Sequence, residues 1–349
     1  MKIAVITYHY SNNKGAFMQA YALCRFLREQ GHDVRIIDIR QEEGTNLGLI
    51  GRIIKNLIVS HRLNNDIRDL YPPLTRRYYS LTELQQNPPV SDCYIVGSDQ
   101  VWNPNISKEL MFAYFLDFGP KNVRRVSYAS SFGLTDWIIN DTCINNHIKE
   151  LFGSFNALSV REKEGQALCM REFGFKPTIV LDPTFLNANY NDIVGKIKPR
   201  REILCYKINK TDDFWTNAPK IGKELGLPLA LLNYNYPHKD FRYCFPPSLK
   251  TWMSRIAAAE FIITDSFHGV AFSIINKKQF VCILNHNDRD SRLINIMTQF
   301  HLEDRMFESV GEMVTDKRWT ERIDYNKVSV RVDELRKESQ RFLIEALVQ

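Results

Sequence analysis

Short apolar strands, each running into a small or polar loop, recur along this chain and constrain its fold more than any other feature. The first, Lys2–Thr7, is followed by a polar loop over residues 8–14 and by apolar residues at helical spacing up to Gly31. Asp33–Asp38 then has the pattern of a second strand. A helix between two short apolar strands is the unit from which parallel sheets are built. The pattern therefore predicts an α/β fold.

The same pattern restarts after Pro199, which indicates a second α/β domain. A chain of 349 residues is long enough for two domains, and the polar stretch Asn187–Arg201 favours a boundary there. We therefore predict an N-terminal domain over residues 1–190, a C-terminal domain over 191–325 and a terminal amphipathic helix over 326–349. The further strands expected are Cys93–Val96, Val126–Ala129, Glu202–Lys207, Leu229–Leu232, Phe261–Thr264 and Phe280–Leu284.

Composition narrows the class of protein. Hydrophobic residues make up 44% and charged residues 25%, as in ordinary soluble proteins. The longest apolar stretches fall far below the roughly 18 residues needed to span a bilayer, so we expect a cytoplasmic protein. The seven cysteines are an odd number without a CxxC pair, which predicts reduced core thiols rather than disulfides or zinc ligands. The net charge of +6 suits anionic small molecules or a membrane surface better than nucleic acid.

A basic amphipathic insert over residues 46–77 interrupts the N-terminal pattern. Apolar residues recur at helical spacing among Arg52 and Lys55, and Arg76 and Arg77 follow. The common origin of such a pattern is a helix that packs on its own domain. The alternative is peripheral contact with the inner membrane face, with the cations near anionic head groups.

The motifs of several enzyme classes are absent from the sequence. There is no GxGxxG, no Gly-Lys-Ser/Thr, no GxSxG and no HExxH, which excludes the usual dinucleotide, P-loop, serine hydrolase and zinc protease sites. Asp288 and Asp290 fit either a divalent metal or a solvated loop, and we favour the loop. No metal and no cofactor is therefore predicted.

The stretch Thr264–Ser273 carries the richest set of polar residues, directly after an apolar strand. Ser266, His268 and Gly269 are expected at a strand-to-helix turn, where free N–H groups favour an anion and Gly269 lets a ligand approach. A histidine there can transfer a proton near neutral pH. The alternative is a structural hydrogen bond.

A second set, Val96–Pro104, also follows an apolar strand. Asp99 can accept a proton from a hydroxyl, Ser98 and Gln100 can bind one, and Trp102 has a flat face on which sugars stack. The alternative is a turn followed by a core tryptophan.

A third set, Ser159–Gly165, contributes Arg161 and Lys163. An arginine fork can hold a carboxylate or phosphate through two parallel hydrogen bonds. The alternative is a surface salt bridge to Glu162 or Glu164.

Taken in order, five motifs resemble the polysaccharide pyruvyl transferase family. The similarity covers about residues 1 to 285, and the opening residues Asn12, Asn13 and Lys14 resemble the family's first loop, which adds them to the substrate-binding residues expected. The five motifs are Gly97–Pro104, Tyr128–Gly133, Ser159–Gly165, Leu181–Leu186 and Thr264–Gly269.

The resemblance implies a fold similar to glycosyltransferase-B enzymes, with two Rossmann-like domains facing a cleft, the acceptor on the N-terminal side and the donor on the C-terminal side. It also implies transfer of the enolpyruvyl unit of phosphoenolpyruvate to two hydroxyls of a sugar, which forms a pyruvate ketal and phosphate. The acceptor sugar then belongs to a capsular polysaccharide or exopolysaccharide or to its lipid-linked precursor.

The same resemblance suggests roles for three residues. His268 matches the family's histidine and Arg161 its arginine, which are associated with catalysis and donor binding, while Asp99 as the base is our own assignment. Many members carry an arginine where this chain has Ser266, so the expected replacement for that cation is Lys14, Lys163 or the helix N-terminus at Gly269.

Two other functions fit the same sequence features. One is a glycosyltransferase that uses a nucleotide sugar, because the same two-domain fold serves that reaction. The other is a non-catalytic module that binds glycans.

Overall fold

The structure is a computed structural model that describes residues 1–9, 13–40, 70, 73–232, 238–243, 248–286 and 290–348. The chain forms two compact units, described separately below. Unit 1 comprises residues 1–187 and 334–349, and unit 2 comprises residues 188–333. The expected helix over residues 46–63 and the residues Asn12 and Asp288 lie outside the described part.

The strands and helices alternate along the chain. The strands are β1 Lys2–Ile6, β2 Asp33–Ile39, β3 Leu74–Tyr78, β4 Cys93–Val96, β5 Arg124–Ser127, β6 Ser159–Val160, β7 Thr178–Ile179, β8 Arg200–Tyr206, β9 Leu229–Leu231, β10 Phe241–Tyr243, β11 Ala259–Thr264, β12 Gln279–Ile283 and β13 Met306–Phe307. The helices are α1 Lys14–Glu29, α2 Leu81–Gln86, α3 Pro104–Ser107, α4 Met111–Tyr114, α5 Thr142–Gly153, α6 Lys163–Phe173, α7 Asn191–Val194, α8 Asp212–Leu225, α9 Leu249–Ala258, α10 Phe267–Ile275, α11 Asp290–Gln299, α12 Val310–Thr315 and α13 Tyr325–Val348.

Unit 1 is built on a parallel sheet with the strand order β3–β2–β1–β4–β5. Every residue of β4 is buried, as expected for an apolar strand covered on both faces of a parallel sheet. Leu23 and Leu27 of α1 pack against Ile3 and Val5 of β1 in one core cluster. The short parallel pair β6–β7 lies beside β5, where Ser127 N donates to the carbonyl of Ala157.

Unit 2 repeats this arrangement with six parallel strands in the order β10–β9–β8–β11–β12–β13. Its core contains Ile203, Phe214, Ile263 and Val281, from three strands and α8. These residues alternate along β8 and β11 with residues on the other face, so each sheet face has its own apolar set. The α/β class predicted from the sequence is confirmed.

Both sheets reverse their strand order at one point, between β1 and β4 in unit 1 and between β8 and β11 in unit 2. The connections leaving two such neighbouring strands diverge to opposite sides, which opens a crevice at their carboxyl ends. In open α/β sheets ligands bind in this crevice. The residues that follow these four strands are therefore the candidates for function.

Two residues assigned to the basic insert belong instead to an edge strand. Arg76 and Arg77 lie in β3, where Arg77 Nε is 3.0 Å from Asp38 Oδ2 and Arg76 lies over the ring of Tyr78. Arg40 Nε also pairs with Asp38, at 2.6 Å. Burial opposes ionisation of Asp38, but hydrogen bonds from His9, Arg40 and Arg77 outweigh it and hold the pKa of this carboxyl well below its usual range.

Within the described residues, no helix is both long and apolar enough to cross a membrane. The cysteines described there are free: Cys143 is exposed, and Cys24, Cys93, Cys169, Cys205 and Cys282 are buried.

Candidate functional site

Buried hydrogen bonds fix the loops that follow β1 and β4. Thr7 Oγ1 donates to the carbonyl of Ser98 over 2.7 Å, and Gln19 Nε2 of α1 donates to Thr7 Oγ1 over 2.9 Å. A Cβ on Gly97 would lie 3.1 Å from the Cβ of Thr7, so glycine permits this close approach. These contacts hold the start of the Val96–Pro104 motif at the point where the sheet order reverses.

Asp99 has a left-handed backbone with φ of 75°. Aspartate tolerates this conformation better than most residues because its short carboxylate bonds nearby backbone groups. Here Oδ1 accepts from Gln100 N over 2.8 Å, and the Asp99 carbonyl accepts from Ser131 N over 3.0 Å. Oδ2 has no hydrogen-bond partner among the described residues, and the side chain is 14% exposed. A ligand hydroxyl that reached this oxygen could donate to it.

Arg161 is buried among carboxylates. Its Nη1 lies 3.1 Å from Asp182 Oδ2, its Nε 3.2 Å from Glu162 Oε2 and its Nη2 3.7 Å from Asp99 Oδ1. Burial lowers the pKa of Arg161, but the nearby carboxylates outweigh burial and raise it. Ser98 Oγ donates to Asp182 Oδ2 over 2.9 Å and so belongs to the same buried network.

This arrangement changes the roles expected for Arg161 and Ser98. Arg161 is paired in the interior rather than at the surface, and within the described residues its guanidinium faces the carboxylates of Asp99, Glu162 and Asp182. Such a cluster disfavours a phosphate or carboxylate ligand and favours a hydroxyl, which can donate to a carboxylate. Ser98 is fully buried, with its hydroxyl bonded to Asp182, so it supports the network instead of contacting substrate.

The environment of Trp102 differs from the expected stacking surface for a sugar. The ring is fully buried, stacked on Phe115 with centroids 5.7 Å apart and packed against Phe132 and Phe152. Its Nε1 donates to the carbonyl of Tyr114 over 2.9 Å. Both the faces and the polar edge of the indole are used by the core, so Trp102 is no stacking surface for a sugar in this structure.

Gln100 and Lys163 are the remaining candidates from the Val96–Pro104 and Ser159–Gly165 motifs. Gln100 Oε1 accepts from Asn103 Nδ2 over 3.1 Å, and the glutamine side chain occupies the space that a Cβ on Gly133 would need. Lys163 is exposed at the first residue of α6.

Asn13 and Lys14 begin α1. Asn13 caps the helix, since its Oδ1 accepts from Gly15 N over 3.0 Å and from Ala16 N over 3.4 Å. This capping occupies Oδ1, and a substrate contact of Asn13 stays a prediction. Lys14 is buried, burial lowers its pKa, and it has no ion-pair partner among the described residues. A buried cation of this kind favours an anion.

In unit 2, His268 is the second residue of α10, directly after the end of β11. Ser266 caps this helix, with its Oγ accepting from Gly269 N over 3.4 Å. Thr264 Oγ1 accepts from Ser266 N over 3.1 Å and donates to the carbonyl of Tyr206 over 2.8 Å. The imidazole of His268 is 7% exposed and packs edge-on against Phe267.

Glycine at position 269 permits a close packing contact that the sequence did not predict. A Cβ there would lie 2.1 Å from Thr264 Oγ1 and 3.0 Å from Tyr206 Cδ1. The missing side chain thus lets α10 approach the ends of β8 and β11, and the approach of a ligand to Gly269 stays a prediction.

Gly269→Ala should destabilise the protein by about 1–3 kcal/mol, because the new methyl group overlaps the bonded hydroxyl of Thr264. Gly153→Ala is the matched control, since a Cβ at this exposed helical residue meets only Phe175 Cζ at 3.9 Å. The control should stay within about 0.5 kcal/mol of wild type or gain stability. Urea unfolding measures both; equal midpoints would contradict the close approach.

Three charged residues beside His268 were not singled out from the sequence. Lys207 Nζ lies 3.0 Å from Asp265 Oδ2, with both side chains buried, and Lys210 Nζ donates to the carbonyl of Lys207 over 2.7 Å. Burial lowers the pKa of Lys210, and repulsion from Lys207 adds to this against the attraction of Asp265. Asp265 also accepts from Ile208 N and Asn209 N, so its oxygens are occupied. Asp265 lies within the Thr264–Gly269 motif and Lys207 ends a predicted strand, but neither pattern indicated the ion pair between them.

Comparison with known proteins gives a family match for this chain. A family model described as polysaccharide pyruvyl transferase matches residues 13–287. Comparison with curated protein sequences gave no match.

Among solved structures, three share the fold over nearly the whole chain. The UDP-GlcNAc 2-epimerase from Neisseria meningitidis bound to UDP-GlcNAc has a TM-score of 0.51 at 8% identity, with 100% of both chains covered. The UDP-N-acetylglucosamine 2-epimerase from Rickettsia bellii has a TM-score of 0.55 at 10% identity, with 99% of this chain and 96% of the other covered. Arabidopsis thaliana UGT89C1 has a TM-score of 0.56 at 10% identity, with 99% of both covered. The expected glycosyltransferase-B-like fold is confirmed; these identities show the fold alone.

Proposed function

This chain belongs to the polysaccharide pyruvyl transferase family, and from that premise we propose that it transfers the enolpyruvyl unit of phosphoenolpyruvate to two hydroxyls of one sugar. The products are a cyclic pyruvate ketal and inorganic phosphate. The acceptor sugar belongs to a polysaccharide or to its lipid-linked precursor.

The observation that carries this proposal is the position of His268 in unit 2. The imidazole sits at the amino end of α10, beside a β8 end that carries Lys207 and Lys210. Lys207 and Lys210 lie there with Asp265, whose two carboxylate oxygens already accept backbone hydrogen bonds. This edge therefore favours an anionic donor. His268 then protonates the methylene carbon of phosphoenolpyruvate, which leaves an oxocarbenium-like centre.

The unit 1 cluster has the opposite charge balance and fits the acceptor. Asp99 accepts the proton of the attacking sugar hydroxyl. The second hydroxyl then attacks the same carbon, the bond from that carbon to the phosphate oxygen breaks, and the hydroxyl proton leaves with the phosphate, which closes the ketal. We assign to Arg161 the positioning of Asp99 rather than donor binding, because its guanidinium already pairs with Glu162 and Asp182. This revises the role that the family resemblance implied.

Phosphoenolpyruvate should raise the melting temperature of the full-length protein, because a ligand that binds only the native state stabilises it. Lys210→Met should weaken this binding about tenfold through loss of one charge-assisted contact. Lys220→Met is the matched control, since Lys220 is exposed on α8 and its Nζ donates to Asn217 Oδ1.

Thermal unfolding with phosphoenolpyruvate or UDP-GlcNAc, each titrated separately, checks this expectation. Stabilisation by the nucleotide sugar alone would contradict pyruvyl transfer and support glycosyl transfer. Equal losses in the Lys210 and Lys220 variants would contradict a donor site on unit 2.

A further inference from the structure

The hydroxyl of Tyr8 is buried and has no hydrogen-bond partner among the described residues. Tyr8 is the second residue after β1, at the point where the strand order of unit 1 reverses. Burying a hydroxyl without a partner reduces stability, and native proteins keep few such groups. Within the described residues, the Tyr8 hydroxyl is thus a hydrogen-bond donor without an acceptor.

The surroundings of Tyr8 link it to Asp99. The ring packs on Tyr114 with centroids 5.0 Å apart. Burial raises the pKa of the Tyr8 phenol, and Tyr114 and the negative charge of Asp99 add to this increase. The phenol therefore keeps its proton and acts as a donor. No hydrogen bond joins Tyr8 to Asp99 among the described residues, but their neighbours in the chain are bonded. Thr7 Oγ1 donates over 2.7 Å to the carbonyl of Ser98, the residue before Asp99.

Asp99 supplies the complementary group. Its Oδ1 accepts from Gln100 N, while Oδ2 has no partner among the described residues. Within the described part of the chain, a donor and an acceptor without partners thus follow β1 and β4 at the same end of these neighbouring strands. A sugar hydroxyl satisfies both, since it accepts through its oxygen and donates through its proton. An anion is repelled by the Asp99 carboxylate itself, which a sugar hydroxyl is not.

We propose that Tyr8 and Asp99 together bind the acceptor, with Tyr8 Oη donating to a sugar oxygen and Asp99 Oδ2 accepting from the same or the adjacent hydroxyl. The inference rests on the proposed function only for naming the bound sugar as the acceptor. Tyr8 is then the residue that selects a hydroxylated ligand in unit 1 and orients it toward the base.

Binding of the methyl glycosides of glucose, galactose and mannose to the full-length protein tests this proposal, using Tyr8→Phe, Asp99→Asn and the control Tyr94→Phe. At least one glycoside should bind wild type, and Tyr8→Phe and Asp99→Asn should each weaken it about tenfold. Tyr94→Phe should leave affinity unchanged. Tyr94 Oη donates to the carbonyl of Pro89 over 2.8 Å, so this control should lower the melting temperature. Tyr8→Phe should not, because the lost hydroxyl has no partner.

Three results would overturn the proposal. They are glycoside affinity unchanged in Tyr8→Phe, no binding of any of the glycosides to wild type, and a melting temperature that falls as far in Tyr8→Phe as in Tyr94→Phe. The first would mean that water alone bridges the two groups. Phosphoenolpyruvate binding, measured on the same samples, separates this inference from the proposed function. If phosphoenolpyruvate does not bind but Tyr8→Phe still weakens glycoside binding, the result would contradict pyruvyl transfer and support the sugar site.

Discussion

Replacing His268 with alanine should lower turnover of phosphoenolpyruvate by about 10²–10⁴-fold, the usual contribution of a positioned acid. The imidazole is buried at the start of α10, so its removal takes away the proton source without exposing a large surface. Phosphate release, measured with an acceptor that wild type uses, checks this expectation. The loss should appear mainly in kcat, because protonation of the methylene carbon belongs to the transition state.

His147→Ala is the matched control for this prediction. That imidazole is 41% exposed and bonds Asp117 Oδ2 over 3.1 Å in unit 1, outside both clusters of candidate residues. Its loss should leave turnover unchanged. Turnover within about threefold of wild type in His268→Ala would remove His268 as the acid. A rise in KM alone would make it a binding residue.

Much of the fold was predictable, because a central parallel strand is a short apolar run with polar or small residues at its ends. The predicted Cys93–Val96 is β4 as observed, and the terminal helix expected over 326–349 is α13, Tyr325–Val348. β3, Leu74–Tyr78, was not predicted. It is an edge strand with exposed arginines and a single fully buried residue, so it lacks the apolar signal.

Less of the candidate site was predictable, because contacts between distant residues decide it. His268 follows a recognisable strand, so its place at a helix start could be inferred. Asp182 lies 21 residues beyond Arg161, and only the packing of β6 beside β7 brings their side chains together. The burial of Trp102 likewise depends on rings distant in sequence. Tyr8 could not be identified as a candidate from the sequence, because its position depends on the strand order that places β1 beside β4.

Arg161→Met should destabilise the protein by about 3–5 kcal/mol, the largest effect on stability that we expect. The substitution removes the guanidinium from two buried ion pairs, with Glu162 and with Asp182, and breaking a buried pair by removing one partner is costly. Arg171→Met is the matched control. Arg171 pairs with Glu172 and Asp136 at 2.7 and 3.1 Å, but its side chain is 50% exposed. Urea unfolding should therefore place this control within about 0.5 kcal/mol of wild type.

The pH dependence of the Arg161→Met variant separates lost charge from lost packing. Without the cation, the buried carboxylates of Glu162 and Asp182 are harder to ionise in the folded state than in the unfolded chain. The folded variant therefore binds more protons than the unfolded chain, so its stability falls as pH rises. The deficit relative to wild type should narrow when unfolding is measured at pH 5 instead of pH 8. A deficit that is the same at both values would assign the loss to packing and would remove the charge balance on which the acceptor site in unit 1 depends.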